Sequence, residues 1–275
     1  MSMTVRTNIA SMMAAGQLGR TNNALGTSLG RISSGMRINS AGDDAAGLGV
    51  ATNLETQVSS TRQAIRNSND GISIIQTAEG ATNEVIDILQ RMRELAVQSS
   101  SGTLDNDERA YINTEFNQLS AEVNRIANVT EFNGISLSNN TATQIDVQVG
   151  INNTANDRIT IDLGDLRASA LGVDTGVQLD TVTNAQAAIS LIDTALDSVN
   201  TIRSGFGAVQ NRLDSAINNA TVNSEALSAA QSQIQDTDFA SETSNLTRLQ
   251  IMQQAGVASL AQAKNINQSV ISLLS

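Results

Sequence analysis

The chain has 275 residues, 40% hydrophobic and 16% charged, with a net charge of −11 and one lysine, Lys264. That hydrophobic content argues against a disordered chain, and the missing basic patch argues against nucleic-acid binding, which needs cations to neutralise phosphates. There is no His, Cys, Pro or Trp, which removes the usual zinc sites, a Ser–His–Asp triad and a thiolate nucleophile, and leaves an aliphatic, Ala-rich core suited to closely packed helices.

In chain order, the opening MSMTVRTNIASMMAAGQLGR is too polar and too broken for a signal-peptide apolar core. No run approaches the roughly 20 apolar residues of a membrane helix, so no membrane partner is expected. Leu18, Leu25, Leu29, Ile32 and Met36 recur at steps of three, four and seven, the pattern of a coiled-coil seam. Gly16, Gly19, Gly26, Gly30 and Gly35 share the stretch. Each costs a helix interior about 1 kcal/mol relative to Ala, so this helix needs a partner. NSAGDDAAGLGVA (39–51) predicts a break. Its adjacent Asp43 and Asp44 point apart on a helix with no third ligand near, which favours capping over metal or acid–base chemistry.

From about 48 to 98, Leu54, Val58, Ile65, Ile72, Ile75, Val85, Leu89, Met92 and Ala96 share one helix face. SSSGT (99–103) is a loop, and Asp105 with Glu108 forms a capping box for a helix carrying Ile112, Phe116, Leu119, Val123 and Ile126. Two helices joined so briefly must run antiparallel. TQIDVQVG and RITIDLG alternate apolar and polar residues and predict a β-hairpin lying on the helices. A capping box at Thr183–Gln186 predicts the next helix, whose apolar face runs from Ile189 to Ile234. QDTDFAS (235–241) is a second break, and a last helix carries Leu246, Leu249, Met252, Leu260, Ala263, Val270 and Leu274. The predicted fold is mostly α: a long antiparallel helical bundle or coiled coil formed by both chain ends, with a small β-hairpin region (138–183) in the middle. The terminal QSVISLLS still leaves Ile271 and Leu273 off any intramolecular seam. Apolar surface of that kind is expected to meet other copies of the chain, as a ring or a helical filament.

SSGMRINSAGDDAAGLGVA, LQRMRELAVQSSSGT, TEFNG, QVGINNTANDRITIDLGDL, GAVQNRLDSAI and the block from DTDFASETSNLTRLQ to QSVISLL resemble, in the same order, those of bacterial flagellin. The resemblance covers nearly the whole chain. Lys264 departs from the usual Asn and Ser269 from a common Pro. There is no room for outer domains between the hairpin and the helix that follows, so the chain looks like a minimal, inner-domain form.

The resemblance implies a structural protein without catalytic residues, metal or cofactor. It would be exported unfolded through the flagellar type III apparatus and would polymerise outside the cell into the swimming filament. Residues 1–43 and 237–275 would form an inner tube and 44–236 a surrounding layer. Implied partners are other copies of the chain, flagellar cap and hook-associated proteins, and an export chaperone on the carboxyl-terminal segment. Leu25, Leu29, Ile32, Leu260, Val270, Ile271, Leu273 and Leu274 are the expected polymerisation residues. A vertebrate Toll-like receptor would read the motif at Gln90, Arg91 and Leu95, with Glu115 on the next helix; an exposed Arg beside Leu makes an interface anchor. The bland reading of the same face is solvated charge pairs.

Other classes leave specific traces. A hook–filament junction protein shares the terminal helices but not QNRLDSAINN or the QRMREL block. A helical adhesin or signalling module would need an anchor or signal peptide. GLGVAT and GFGAVQ lack the third glycine and the preceding strand of a dinucleotide-binding enzyme.

Overall fold

The structure is a computed structural model; it describes residues 7–140 and 142–272, with side chains through Asn265. The chain divides into two compact units, Met1–Thr56 with Ala226–Ser275 (the terminal unit) and Gln57–Glu225 (the central unit). Its helices are α1 (Ile9–Ser34), α2 (Ala45–Ser99), α3 (Asn106–Val129), α4 (Ala168–Leu171), α5 (Val182–Gln235) and α6 (Phe239–Ser272). Its strands are β1 (Glu131–Phe132), β2 (Ile135–Ser136), β3 (Gln144–Gln148) and β4 (Arg158–Asp162).

In the terminal unit α1 and α6 pair antiparallel. Asn8 caps α1 by accepting from the Ser11 amide at 2.9 Å, and its amide nitrogen donates to the Ala263 carbonyl at 2.8 Å. Further along, Gln253 donates to Asn22 at 2.9 Å and the Ser28 hydroxyl donates to Glu242. α1 stops at Gly35, whose φ of 73° is the left-handed cap that a glycine adopts without strain. The break after it is tied to the break between α5 and α6. The Arg37 amide donates to the Gln235 carbonyl at 2.6 Å, the Arg37 guanidinium to the Ile234 carbonyl at 2.7 Å, and the Thr237 amide to the Gly35 carbonyl at 2.9 Å.

Asp44 caps α2, whereas Asp43 ties down the loop before it. Asp44 accepts from the Gly47 amide at 2.9 Å, at the start of α2. Asp43 accepts from the Asn39 and Ser40 amides and the Ser40 hydroxyl. The Ser40 hydroxyl, more than any other group, holds the Asp43 carboxyl below its ordinary range.

In the central unit α2 and α3 form an antiparallel hairpin. The capping box of Asp105 and Glu108 is formed as expected. Arg109, buried, donates to the carbonyls of Ser99 (3.0 Å) and Ser101 (2.6 Å), satisfying backbone acceptors where α2 ends. One apolar cluster gathers Val85, Leu89, Met92 and Leu95 of α2, Ile112, Phe116 and Val123 of α3, and Ala188, Ile192 and Val199 of α5. β3 and β4 pair antiparallel with Val147 opposite Ile159. They pack against Ile74, Ile75, Phe206 and Leu213 in a second cluster, so the hairpin lies on the helices. Gly71 makes this possible: a Cβ there would sit 3.0 Å from Val147 and 3.3 Å from Leu213.

Three local features depart from the sequence expectations. The cap of α5 is Thr181, which accepts from the Asn184 amide at 3.2 Å, so the helix begins ahead of the expected Thr183 box. A small hairpin, β1–β2, precedes the main one. Its two-residue turn is Asn133–Gly134, at φ 50° and 78°, the left-handed pair that Asn-Gly favours. Residues 163–181, expected only to be short, form a packed strap in which Leu166, Ala168, Leu171, Val173 and Leu179 are buried. α3 holds the strap by its polar face. Asn124 accepts from the Ala168 amide, Ser120 donates to the Val173 carbonyl, and Asn113 accepts from the Leu179 amide.

Candidate functional site

The side chains of α1 that face α6 are half-buried or buried at Ser11, Ala14, Leu18, Thr21, Leu25, Ser28 and Ile32. These alternate at three and four residues, a coiled-coil spacing. On α6 the matching line is Glu242, Leu246, Leu249, Gln253, Gly256, Leu260 and Ala263. Leu18 fits against Gly256, where a Cβ would lie 3.2 Å from its methyl. The seam therefore holds Ser28 and Gln253 where the sequence suggested Leu29 and Met252.

Leu25, Ile32 and Leu260, expected to face other copies, are half-buried in the intramolecular seam. Leu29 is 50% exposed and remains available. Of the remaining expected residues, Leu273, Leu274 and the side chains of Val270 and Ile271 lie outside the described residues. Leu29 is joined by eight further exposed apolar residues of the terminal unit that the sequence had not singled out for assembly. Ile9, Met12, Met13 and Leu29 of α1, Val50 of α2, and Phe239, Ile251, Met252 and Val257 of α6 are large, apolar and 42–71% exposed. For Ile9, Met12, Met13, Ile251 and Val257 the signal was available: each falls off the seam, the same argument that singled out Ile271 and Leu273. Scattered exposed apolar residues are ordinary, but eight on one slender helix pair leave apolar side chains in water along much of its length.

The other candidate site lies on α2 and α3 in the central unit. Gln90 is exposed, and Arg91 and Glu115 are about half exposed. The Arg91 guanidinium donates to Glu115 at 2.8 and 3.0 Å and to Glu94 at 2.9 Å. Glu115, then Glu94, hold the Arg91 pKa above its ordinary value. Arg93 reaches Asp193 on α5 at 2.7 Å, which depresses the Asp193 pKa. Leu95 is not part of this surface. It is 1% exposed, inside the cluster with Leu89, Phe116 and Ile192. Leu95 is buried while Arg91 beside it is exposed because α2 is covered on two sides, by α3 and α5, so its apolar face is wider than a single stripe. Among the described residues no group of three His, Cys, Asp or Glu side chains is placed to hold a metal ion, and no helix is long and apolar enough to cross a membrane.

Comparison with known proteins agrees with this architecture. Residues 5–143 match the bacterial flagellin N-terminal helical region and residues 189–274 the bacterial flagellin C-terminal helical region. A flagellin from Halalkalibacterium halodurans is 44% identical over 99% of this chain and 100% of its own length. The flagellar filament 33 kDa core protein of Treponema phagedenis is 39% identical with the same coverage of both chains. The crystal structure of Bacillus cereus flagellin is 34% identical, with a TM-score of 0.50 over 56% of this chain and 88% of that one. The paired terminal helices, the hairpin laid on the central helices and the matches along both ends lead to one conclusion: the chain belongs to the bacterial flagellin family.

Proposed function

We infer that this chain is a structural subunit of the bacterial flagellar filament, and that the exposed apolar residues of α1 and α6 are covered there by neighbouring copies. That surface is the observation that carries the reading. A side chain such as Ile251 or Val257 gains about 1.5–3 kcal/mol when fully buried, and a polymer repeats the gain at every subunit. A surface that meets a different surface on the next copy builds an open helix, unless its rotation closes into a ring, rather than stopping at a dimer. The chain is a minimal form: between β4 and α5 it carries only the strap and α4, and so has no outer domain. A thin, smooth filament follows.

The finer steps belong to the same reading. The subunit is exported through the type III apparatus with its carboxyl-terminal segment held by a chaperone, and folds at the filament tip under a cap protein. Residues 1–43 and 237–275 line the inner tube and 44–236 the layer around it. The ridge of Gln90, Arg91 and Glu115 is the surface that a vertebrate Toll-like receptor recognises on the monomer, with Leu95 shaping the helix beneath it rather than touching the receptor.

The test is seeded sedimentation. Ile251→Asp with Val257→Asp alters only exposed positions, so far-UV circular dichroism and the urea midpoint of the monomer should match the parent. With filament seeds added, the parent should pellet and the variant should stay in the supernatant. Equal pelleting would show that these residues are not covered by assembly.

A further inference from the structure

Seven methionines occur in the chain, and the structure sorts the five described ones by exposure. Met12 and Met13 are 66% and 71% exposed on α1, and Met252 is 42% exposed on α6. Met92 is fully buried in the central cluster. The Met36 sulfur accepts a hydrogen bond from the Gln235 amide at 3.0 Å. Met1 and Met3 lie outside the described residues. Among the described residues, the three most exposed methionines thus all stand on the apolar surface of the terminal unit, beside Ile9 and Ile251. Oxidation of methionine follows access to the sulfur and turns an apolar side chain into a polar one.

We propose that Met12, Met13 and Met252 form a reversible oxidation site that controls whether the free chain joins the filament. The inference rests on the assembly reading above. In the reaction, a thioether lone pair attacks one oxygen of hydrogen peroxide. The O–O bond breaks, an S–O bond forms, and the proton on the transferred oxygen passes to the departing hydroxide, which leaves as water. Sulfur is oxidised by two electrons and peroxide is reduced by two. Each sulfoxide then presents a strong hydrogen-bond acceptor where assembly requires desolvation, and burying such a group unpaired is costly. Once assembled, neighbouring copies shield the same sulfurs. The site is therefore open only in the free chain, and methionine sulfoxide reductases acting with a dithiol, which becomes a disulfide as the sulfoxide oxygen leaves as water, return it to the assembling form.

The experiment treats the full-length monomer with hydrogen peroxide, quenches with catalase, maps the added oxygen by peptide mass spectrometry and measures seeded sedimentation. Oxygen should appear at Met12, Met13 and Met252 well before Met92. The critical concentration for assembly should rise at least about tenfold. Reductases of both stereospecificities with dithiothreitol should restore it. A chain carrying Met12→Leu, Met13→Leu and Met252→Leu keeps the volume and loses the sulfurs, so it should polymerise equally well with and without peroxide. The proposal is overturned if the mapped, oxidised parent pellets like the untreated one, or if peroxide stops the triple-leucine chain as it stops the parent. Should the leucine chain fail to polymerise untreated, reductase rescue of the parent decides: no recovery with the three sulfurs reduced overturns it. The assembly reading fails separately, by pelleting of the Ile251→Asp, Val257→Asp chain.

Discussion

Leu95 and Arg91 lie four residues apart on α2, yet the structure gives them opposite roles, and paired alanine substitutions separate those roles. Leu95 is 1% exposed within the cluster that joins α2, α3 and α5. Truncating such a leucine removes its transfer energy and leaves a cavity, for a cost of about 2.7–5 kcal/mol. With a urea slope of roughly 2–3 kcal/mol/M for a unit of this size, the midpoint should fall by about 1–2 M. Arg91 is half exposed, and its pairs with Glu94 and Glu115 are solvent-screened, so Arg91→Ala should leave the midpoint where it was. Urea titration followed by far-UV circular dichroism measures both. A receptor reporter assay on folded monomer adds the second readout: Arg91→Ala should lose signalling with its fold intact, whereas Leu95→Ala should lose signalling only in proportion to its unfolded fraction. Equal midpoints for the two variants would refute the placement of Leu95 in the core.

Two glycine substitutions should move stability in opposite directions. A Cβ on Gly164 would lie 2.3 Å from the Ile202 side chain, so Gly164→Ala should cost about 1–3 kcal/mol and be relieved by Ile202→Ala in the same chain. At Gly80 a Cβ meets nothing within 4 Å, so Gly80→Ala should gain up to about 1 kcal/mol of helix propensity; thermal melts of both variants check the signs. Acid should destabilise the fold through a defined set of carboxylates. Arg125 lowers the pKa of Glu122, Arg167 that of Asp165, Arg93 that of Asp193 and the Ser40 hydroxyl that of Asp43, from ordinary values of 4.5 for Glu and 3.8 for Asp. A depressed folded pKa contributes stability above the unfolded value and loses it as pH falls through the folded one, so the urea midpoint should stay level from pH 7 to about pH 5 and drop below about pH 4. A midpoint that rises on acidification would contradict these pairings.

The long-range pattern of this fold is legible in the sequence because helical spacing and turn chemistry are local. The α3 capping box, the hairpin alternation of Ile145, Val147, Ile159 and Ile161, and the α2 cap at Asp44 all follow from neighbours within a few residues. The misses concern tertiary context. Apolar character suggested Leu29 and Met252 for the seam. Coiled-coil geometry selected Ser28 and Gln253 instead, because position along the helix decides what faces the partner. The same gap hid Leu95, since one stripe of periodicity cannot tell a helix covered on one side from a helix covered on two. The strap over 163–181 has no periodic signal. It is held by Asn113, Ser120 and Asn124, polar residues whose partners are backbone groups far along the chain. The Asn133–Gly134 turn was in plain view as an Asn-Gly pair, but its flanking strands are two residues each, too short to alternate.

The central claim is that copies of this chain cover the exposed apolar residues of the terminal helices. A helical reconstruction by electron cryomicroscopy, from filaments grown with the purified full-length chain, tests it most directly. The account predicts that Met12, Leu29, Ile251 and Val257 each lie within about 4.5 Å of a side chain from another subunit. Filaments in which those side chains face open solvent, with subunits joined through the central unit alone, would contradict it.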